Sequence, residues 1–196
     1  MSSPFGVPGA KATLALAVLM SVTGIWGVSR SLTQLTSAPG EYEATDPSAS
    51  PEVAEAGRAF FEPFLESPVS RAVSVANLLA SALLLVASFT LTGRARSALF
   101  WTTQALWTNA AYSLAAAGAN IYLFRAHGAE LARFFEAMLR AQPSPGPPPP
   151  PELAAGVPWL FIALSAIAGA LLAALYLGML RVARRETVQK FVRREA

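Results

Sequence analysis

Four runs of the chain, residues 12–29, 72–92, 97–124 and 153–180, contain no charged side chain; all 15 Lys/Arg and all 12 Asp/Glu lie outside them. Each run reaches the length, about 17–25 residues, at which an α-helix crosses a hydrocarbon core. A helix satisfies its own backbone hydrogen bonds, as lipid requires. The pattern therefore predicts an all-α polytopic membrane protein, a four-transmembrane-helix bundle with two short amphipathic extracytoplasmic helices. Membrane helices are expected at 12–29, 72–92, 97–124 and 157–180. They are joined by outer segments 30–71 and 125–156 and by a turn at 93–96, with 1–11 and 181–196 as terminal pieces. The first run reads as a retained helix rather than a cleaved signal peptide: it exceeds the usual h-region of about 7–15 residues, its flank carries only Lys11, and no small-x-small site follows Gly27. Gly24, Trp26 and Gly27 then fall at an interfacial helix end, where an aromatic ring favours headgroup depth.

The outer segments have periodicity of their own. Ser50-Pro51-Glu52 combines a capping hydroxyl, proline at the first helical position and an acid facing the dipole. Val53, Ala56, Phe60 and Phe64 then recur at helical spacing, predicting a helix over about 51–63 that Pro63 kinks or ends. Leu131, Phe134, Phe135, Met138 and Leu139 form a second stripe, either continuous with the third membrane helix or separated from it at Gly128. Both stripes fit the membrane surface or the bundle ends, with partner docking as the alternative. Phe60-Phe61-Glu62 and Phe134-Phe135-Glu136 share the pattern Phe-Phe-Glu-x-x-Leu, a weak sign of two helix–outer helix–helix copies about an axis along the membrane normal. Residues 143–151, Pro-Ser-Pro-Gly and five further prolines, are expected as an extended polyproline spacer, or as a ligand for an aromatic groove.

Within the membrane runs, polar residues fall on narrow stripes: Ser74, Asn77, Ser81, Ser88 and Thr92 on the second helix, Thr102, Asn109, Ser113 and Asn120 on the third. A turn centred near Ala95 would set Ser88 beside Thr102, Ser81 beside Asn109 and Asn77 beside Ser113, an antiparallel hairpin sealed by hydrogen bonds worth about 0.6 kcal/mol each. Bonding back to the carbonyl one turn earlier, or lining a polar path, are the competing uses. Trp101 and Trp107 read as interfacial anchors and Gln104 as a further polar contact. On the fourth helix Ser165, Gly169 and Ala173 stand four apart, as do Ala166, Ala170, Ala174 and Gly178, which allows close helix approach within the chain or to another copy.

Composition supports a membrane location, with 54% hydrophobic and only 14% charged residues. The acidic outer segment 30–71 contrasts with the basic turn Gly93-Arg94-Ala95-Arg96 and with a tail carrying Arg181, Arg184, Arg185, Lys190, Arg193 and Arg194, which places both termini in the cytoplasm. The tail is expected to continue the fourth helix, with Val188, Phe191 and Val192 on one face, and to lie on anionic headgroups or an acidic partner. Because basic residues gather at helix ends, the net charge of +3 speaks for orientation rather than nucleic acid. Thirteen Arg against two Lys and heavy Ala use suggest a GC-rich bacterial genome and hence an inner membrane.

Candidate chemistry is sparse. The chain has no cysteine, and its single histidine, His127, has Glu130 one turn on, too few ligands for a catalytic metal site. No ionisable group lies within a membrane run, so proton-coupled transport, voltage sensing and carboxylate catalysis lack their usual residue. No cofactor, metal or catalytic site is expected, and the chain reads as no enzyme. The expected function is binding, as an accessory, assembly or scaffold component in contact with lipid and with another membrane protein or a second copy. The alternative is a small oligomeric channel or carrier using the polar stripe of the second and third helices.

Overall fold

The computed structural model describes residues 9–36, 50–141 and 150–193. These form seven helices and no strand: α1 (Ala10–Thr36), α2 (Pro51–Glu66), α3 (Pro68–Thr92), α4 (Ala98–Ala126), α5 (Gly128–Ala141), α6 (Pro151–Ala183) and α7 (Glu186–Arg193).

Local chemistry sets the helix ends. Ser50 caps α2, its hydroxyl accepting from the Val53 amide at 3.3 Å, and Pro51 takes the first helical position. The same dipeptide recurs at Ser67-Pro68. There the Ser67 hydroxyl donates to the Phe64 carbonyl (3.2 Å) and accepts from the Ser70 amide (3.0 Å), closing α2 and opening α3 with one side chain. Pro63 does not end α2, which continues to Glu66; a proline near the last turn removes one amide bond without interrupting a core turn. α4 and α5 are separate helices, with His127 between them.

Two expectations for the C-terminal third change. Residues 143–149 of the proline run lie outside the described residues, but Pro151 opens α6 six residues ahead of the expected membrane helix, because proline suits a first helical position. The tail does not continue that helix. α6 stops at Ala183, and after a turn the chain forms the separate α7.

α1, α3 and residues Glu152–Ala183 of α6 are long and apolar enough to cross a membrane. α4 has the length, with 29 residues, but not the hydropathy, because Thr102, Thr103, Gln104, Thr108 and Asn109 dilute it.

The chain divides into two compact units. The first comprises Met1–Leu35, Ser74–Ala115 and Gly169–Ala196. Its core joins Leu16 and Met20 of α1, Leu84 and Leu91 of α3, Leu106 of α4, Tyr176 and Met179 of α6, and Val188 and Val192 of α7. Its buried set also includes Thr13, Ser31, Ser74, Ser81, Ser88, Thr102, Asn109 and Ser113, whereas Trp26, Phe89 and Leu171 are 72%, 75% and 66% exposed. Polar groups inward and large apolar groups outward is the arrangement of helices surrounded by hydrocarbon.

The second unit comprises Thr36–Val73 and Ala116–Ala168. α2 and α5 pack against each other in it: the Phe134 ring lies over Gly57, where an added Cβ would meet it at 3.2 Å, and Arg140 approaches Glu52 at 3.8 Å. Seven of the eleven phenylalanines form a closed ring of contacts, Phe60, Phe61, Phe134, Phe135, Phe161, Phe124 and Phe64, with centroids 5.0 to 6.0 Å apart. Both Phe-Phe pairs of the sequence repeat belong to this ring.

Candidate functional site

The densest polar constellation lies where α1 meets α3. Along α1 the buried positions Ala10, Thr13, Ala17, Met20, Gly24, Gly27 and Ser31 follow one another at alternating three- and four-residue steps, a heptad seam of mostly small residues. Along α3 the seam is Ser74, Ser81, Leu84, Ser88 and Leu91, all buried, with the half-buried Asn77 between the first two. The helices run antiparallel and their partners follow in order. Gln34 Oε1 accepts from the Ser74 hydroxyl at 3.1 Å. Asn77 Nδ2 donates to the Gly27 carbonyl at 3.1 Å and to the Ser31 hydroxyl at 2.8 Å. Ser88 donates to the Ala17 carbonyl at 2.8 Å, and since that commits its proton, Ser21 is the donor in the 2.6 Å Ser21–Ser88 contact.

Glycine makes this approach possible. A Cβ on Gly24 would stand 2.8 Å from the Leu85 side chain and 3.0 Å from the Ser81 carbonyl; one on Gly27 would collide with the Ser81 hydroxyl. Gly24 and Gly27 are therefore contact residues of a helix pair, and α1 runs on to Thr36, beyond the helix end expected near them. Between them Ile25, 61% exposed, and Trp26, 72% exposed, face outward.

The expected pairs Ser88–Thr102, Ser81–Asn109 and Asn77–Ser113 do not form. The α3 stripe is turned toward α1, whose glycines expose backbone carbonyls, and α4 meets α3 by other means. Asn109 Nδ2 donates to the Ala80 carbonyl of α3 at 2.8 Å and to its own Ala105 carbonyl at 2.9 Å. Ser113 bonds back to the Asn109 carbonyl at 2.7 Å, and the Thr102 hydroxyl is buried without a partner among the described residues. Gln104, Trp101 and Trp107 are exposed. On α6, Gly169 and Ala173 are buried and Ser165 is half-buried, while Ala166, Ala170, Ala174 and Gly178 are exposed.

A second constellation holds the C-terminal helix. α3 ends in a Schellman turn, with Ala95 N donating to Thr90 O (3.0 Å) and Arg94 N to Leu91 O (3.2 Å). The left-handed position belongs to Arg94, at φ 50°, and not to Gly93. Its guanidinium lies 4.2 Å from the centroid of the Phe191 ring and donates to the Phe191 carbonyl, near the C-terminal end of α7. Val188 and Val192 are buried, and the backbone at Thr187 leaves no room for a Cβ on Gly9, whose φ is +89°. The apolar face expected to rest on headgroups is thus occupied by the protein itself. Arg181, Arg184, Arg185, Lys190 and Arg193 remain exposed, and Arg194 lies outside the described residues. Lys190 pairs with Glu186 at 2.9 Å and, by hydrogen bond and charge, holds that carboxyl below its usual range.

His127 meets the Phe64 ring at 6.5 Å, and Glu130 Oε2 is buried without a hydrogen bond among the described residues. No group of three or more potential metal ligands occurs among those residues. Compared with known proteins, the chain matches no family model, no curated sequence and no solved structure.

Proposed function

We propose that the protein is a non-enzymatic integral membrane component that acts by binding, as an accessory, assembly or scaffold element. In this reading α1, α3, α4 and α6 cross the bilayer, both termini are cytoplasmic, and the membrane is a bacterial inner membrane. The carrying observation is where the strongest polar side chains point. Asn77, Ser88 and Asn109 each donate to a backbone carbonyl of a neighbouring helix, so these donors serve to hold helices together. A water-filled path would need those groups turned to its lumen. The exposed apolar surface of α6, which buries only 17% of its membrane-length window against 33% for α1 and α3, offers room for a second membrane protein or another copy.

Photo-crosslinking from Leu171 in native membranes, followed by identification of the adducts, tests this reading: a discrete protein adduct supports it. Solute flux through reconstituted vesicles that is altered by Asn109→Ala would overturn it in favour of a channel or carrier.

A further inference from the structure

Docking of α7 leaves one of its faces for something else. Val188 is 0% and Val192 4% exposed, and Phe191 is half-buried beneath Arg94, so no apolar face remains to enter a bilayer. The outward side presents Arg184 and Arg185 from the turn and Lys190 and Arg193 from the helix, with Glu186 the one acid among the described residues there. Only two residues separate α7 from the end of α6, whose last turn carries Arg181. A helix attached so closely to a membrane-length apolar helix sits where hydrocarbon gives way to headgroups.

We infer that the exposed face of α7 is a rigid binding surface for anionic lipid headgroups and that it works by charge alone, inserting no side chain into the hydrocarbon. The inference rests on the reading that α6 crosses the bilayer. The basic cluster complements lipid phosphate in charge, and the attraction of such residues to an anionic leaflet decays over a Debye length. A free amphipathic tail would instead add the burial of Val188, Phe191 and Val192 in lipid, a contribution that salt does not screen. Docking removes that contribution, so recognition becomes dependent on lipid charge and on ionic strength.

The test uses the full chain in phosphatidylcholine vesicles doped with spin-labelled phosphatidylglycerol or spin-labelled phosphatidylcholine, reading the motionally restricted fraction of each label. The expected result is a severalfold preference for phosphatidylglycerol. It should fall toward parity in high salt and in the combined variant Arg184→Gln, Arg185→Gln, Lys190→Gln, Arg193→Gln, in which hydrogen exchange shows α7 still docked. Equal restriction of the two lipids, or a preference untouched by the four substitutions, overturns the inference and leaves the face to an acidic protein segment. A preference that persists at high salt overturns charge-only recognition in favour of insertion. Loss of the protein from vesicles on alkaline carbonate washing is a different failure, that of the membrane-spanning reading itself.

Discussion

Two residues show how far single atoms govern the helix contacts. Gly27 has no spare volume, since its missing Cβ would occupy the place of the Ser81 hydroxyl. Gly27→Ala should cost about 1–3 kcal/mol, the usual range for overpacking a close contact. Ser81→Gly in the same chain should recover most of that loss. A double-mutant cycle in detergent unfolding measures both, and strict additivity would show that the two residues do not meet. Arg94 is the converse case, a side chain held where glycine is normally preferred. Left-handed backbone costs a non-glycine residue about 1–2 kcal/mol, here offset by the guanidinium contacts to Phe191. Arg94→Ala keeps the strained backbone and loses the contacts, while Arg94→Gly loses both. Both variants should therefore expose α7 to protease, with the α3 turn less destabilised in Arg94→Gly than in Arg94→Ala. Equal turn stability in the two would mean that the strain is absent.

At the scale of elements, the α2/α5 pair depends on its aromatic ring. Phe134 touches Gly57, Phe61 and Phe135, so Phe134→Ala opens the ring on the face that joins the two helices. The expected loss is about 2 kcal/mol, below the 3–5 kcal/mol or so of a fully buried Phe→Ala because Phe134 is half-buried. Hydrogen exchange should rise together in α2 and α5 and stay unchanged in α1; a rise in α5 alone would show that α2 is held by something else. These helices and their stripes were legible in the sequence because helical period and the Ser50-Pro51 cap are local signals. The Phe ring was not, because it joins residues from four helices and no local pattern reports which face meets which. The α3 stripe was legible as a stripe but not in its direction. Pairing it with the nearest helix in sequence ignored the small-residue heptad of α1, Ala10 through Ser31, which was readable and marks the closer partner. The Ser67-Pro68 joint repeats the Ser50-Pro51 signal and was equally open to recognition.

For the molecule as a whole, the decisive helix is α4, whose mean hydropathy leaves it outside the set able to cross a membrane on composition. Averaging over a helix ignores direction. Thr102, Asn109 and Ser113 are buried, whereas Phe100, Trp101, Trp107, Leu114 and Tyr122 are exposed, so these three of the polar groups that lower the average are turned away from the surroundings. The exposed Gln104 and Thr108 are the exceptions, and both lie in the half of α4 nearer its basic turn. Twenty-nine residues give about 43 Å of helix, more than the roughly 30 Å of a hydrocarbon core. α4 should therefore cross, with the Arg96 and Arg133 positions on opposite sides. The chain contains no cysteine, so Arg96→Cys and Arg133→Cys can be labelled singly in intact cells with an impermeant maleimide. Arg133→Cys should react from outside and Arg96→Cys only after the membrane is opened. Reaction of both from one side would show that α4 does not cross, and would leave α3 and α6 as the flanks of a surface-bound helix.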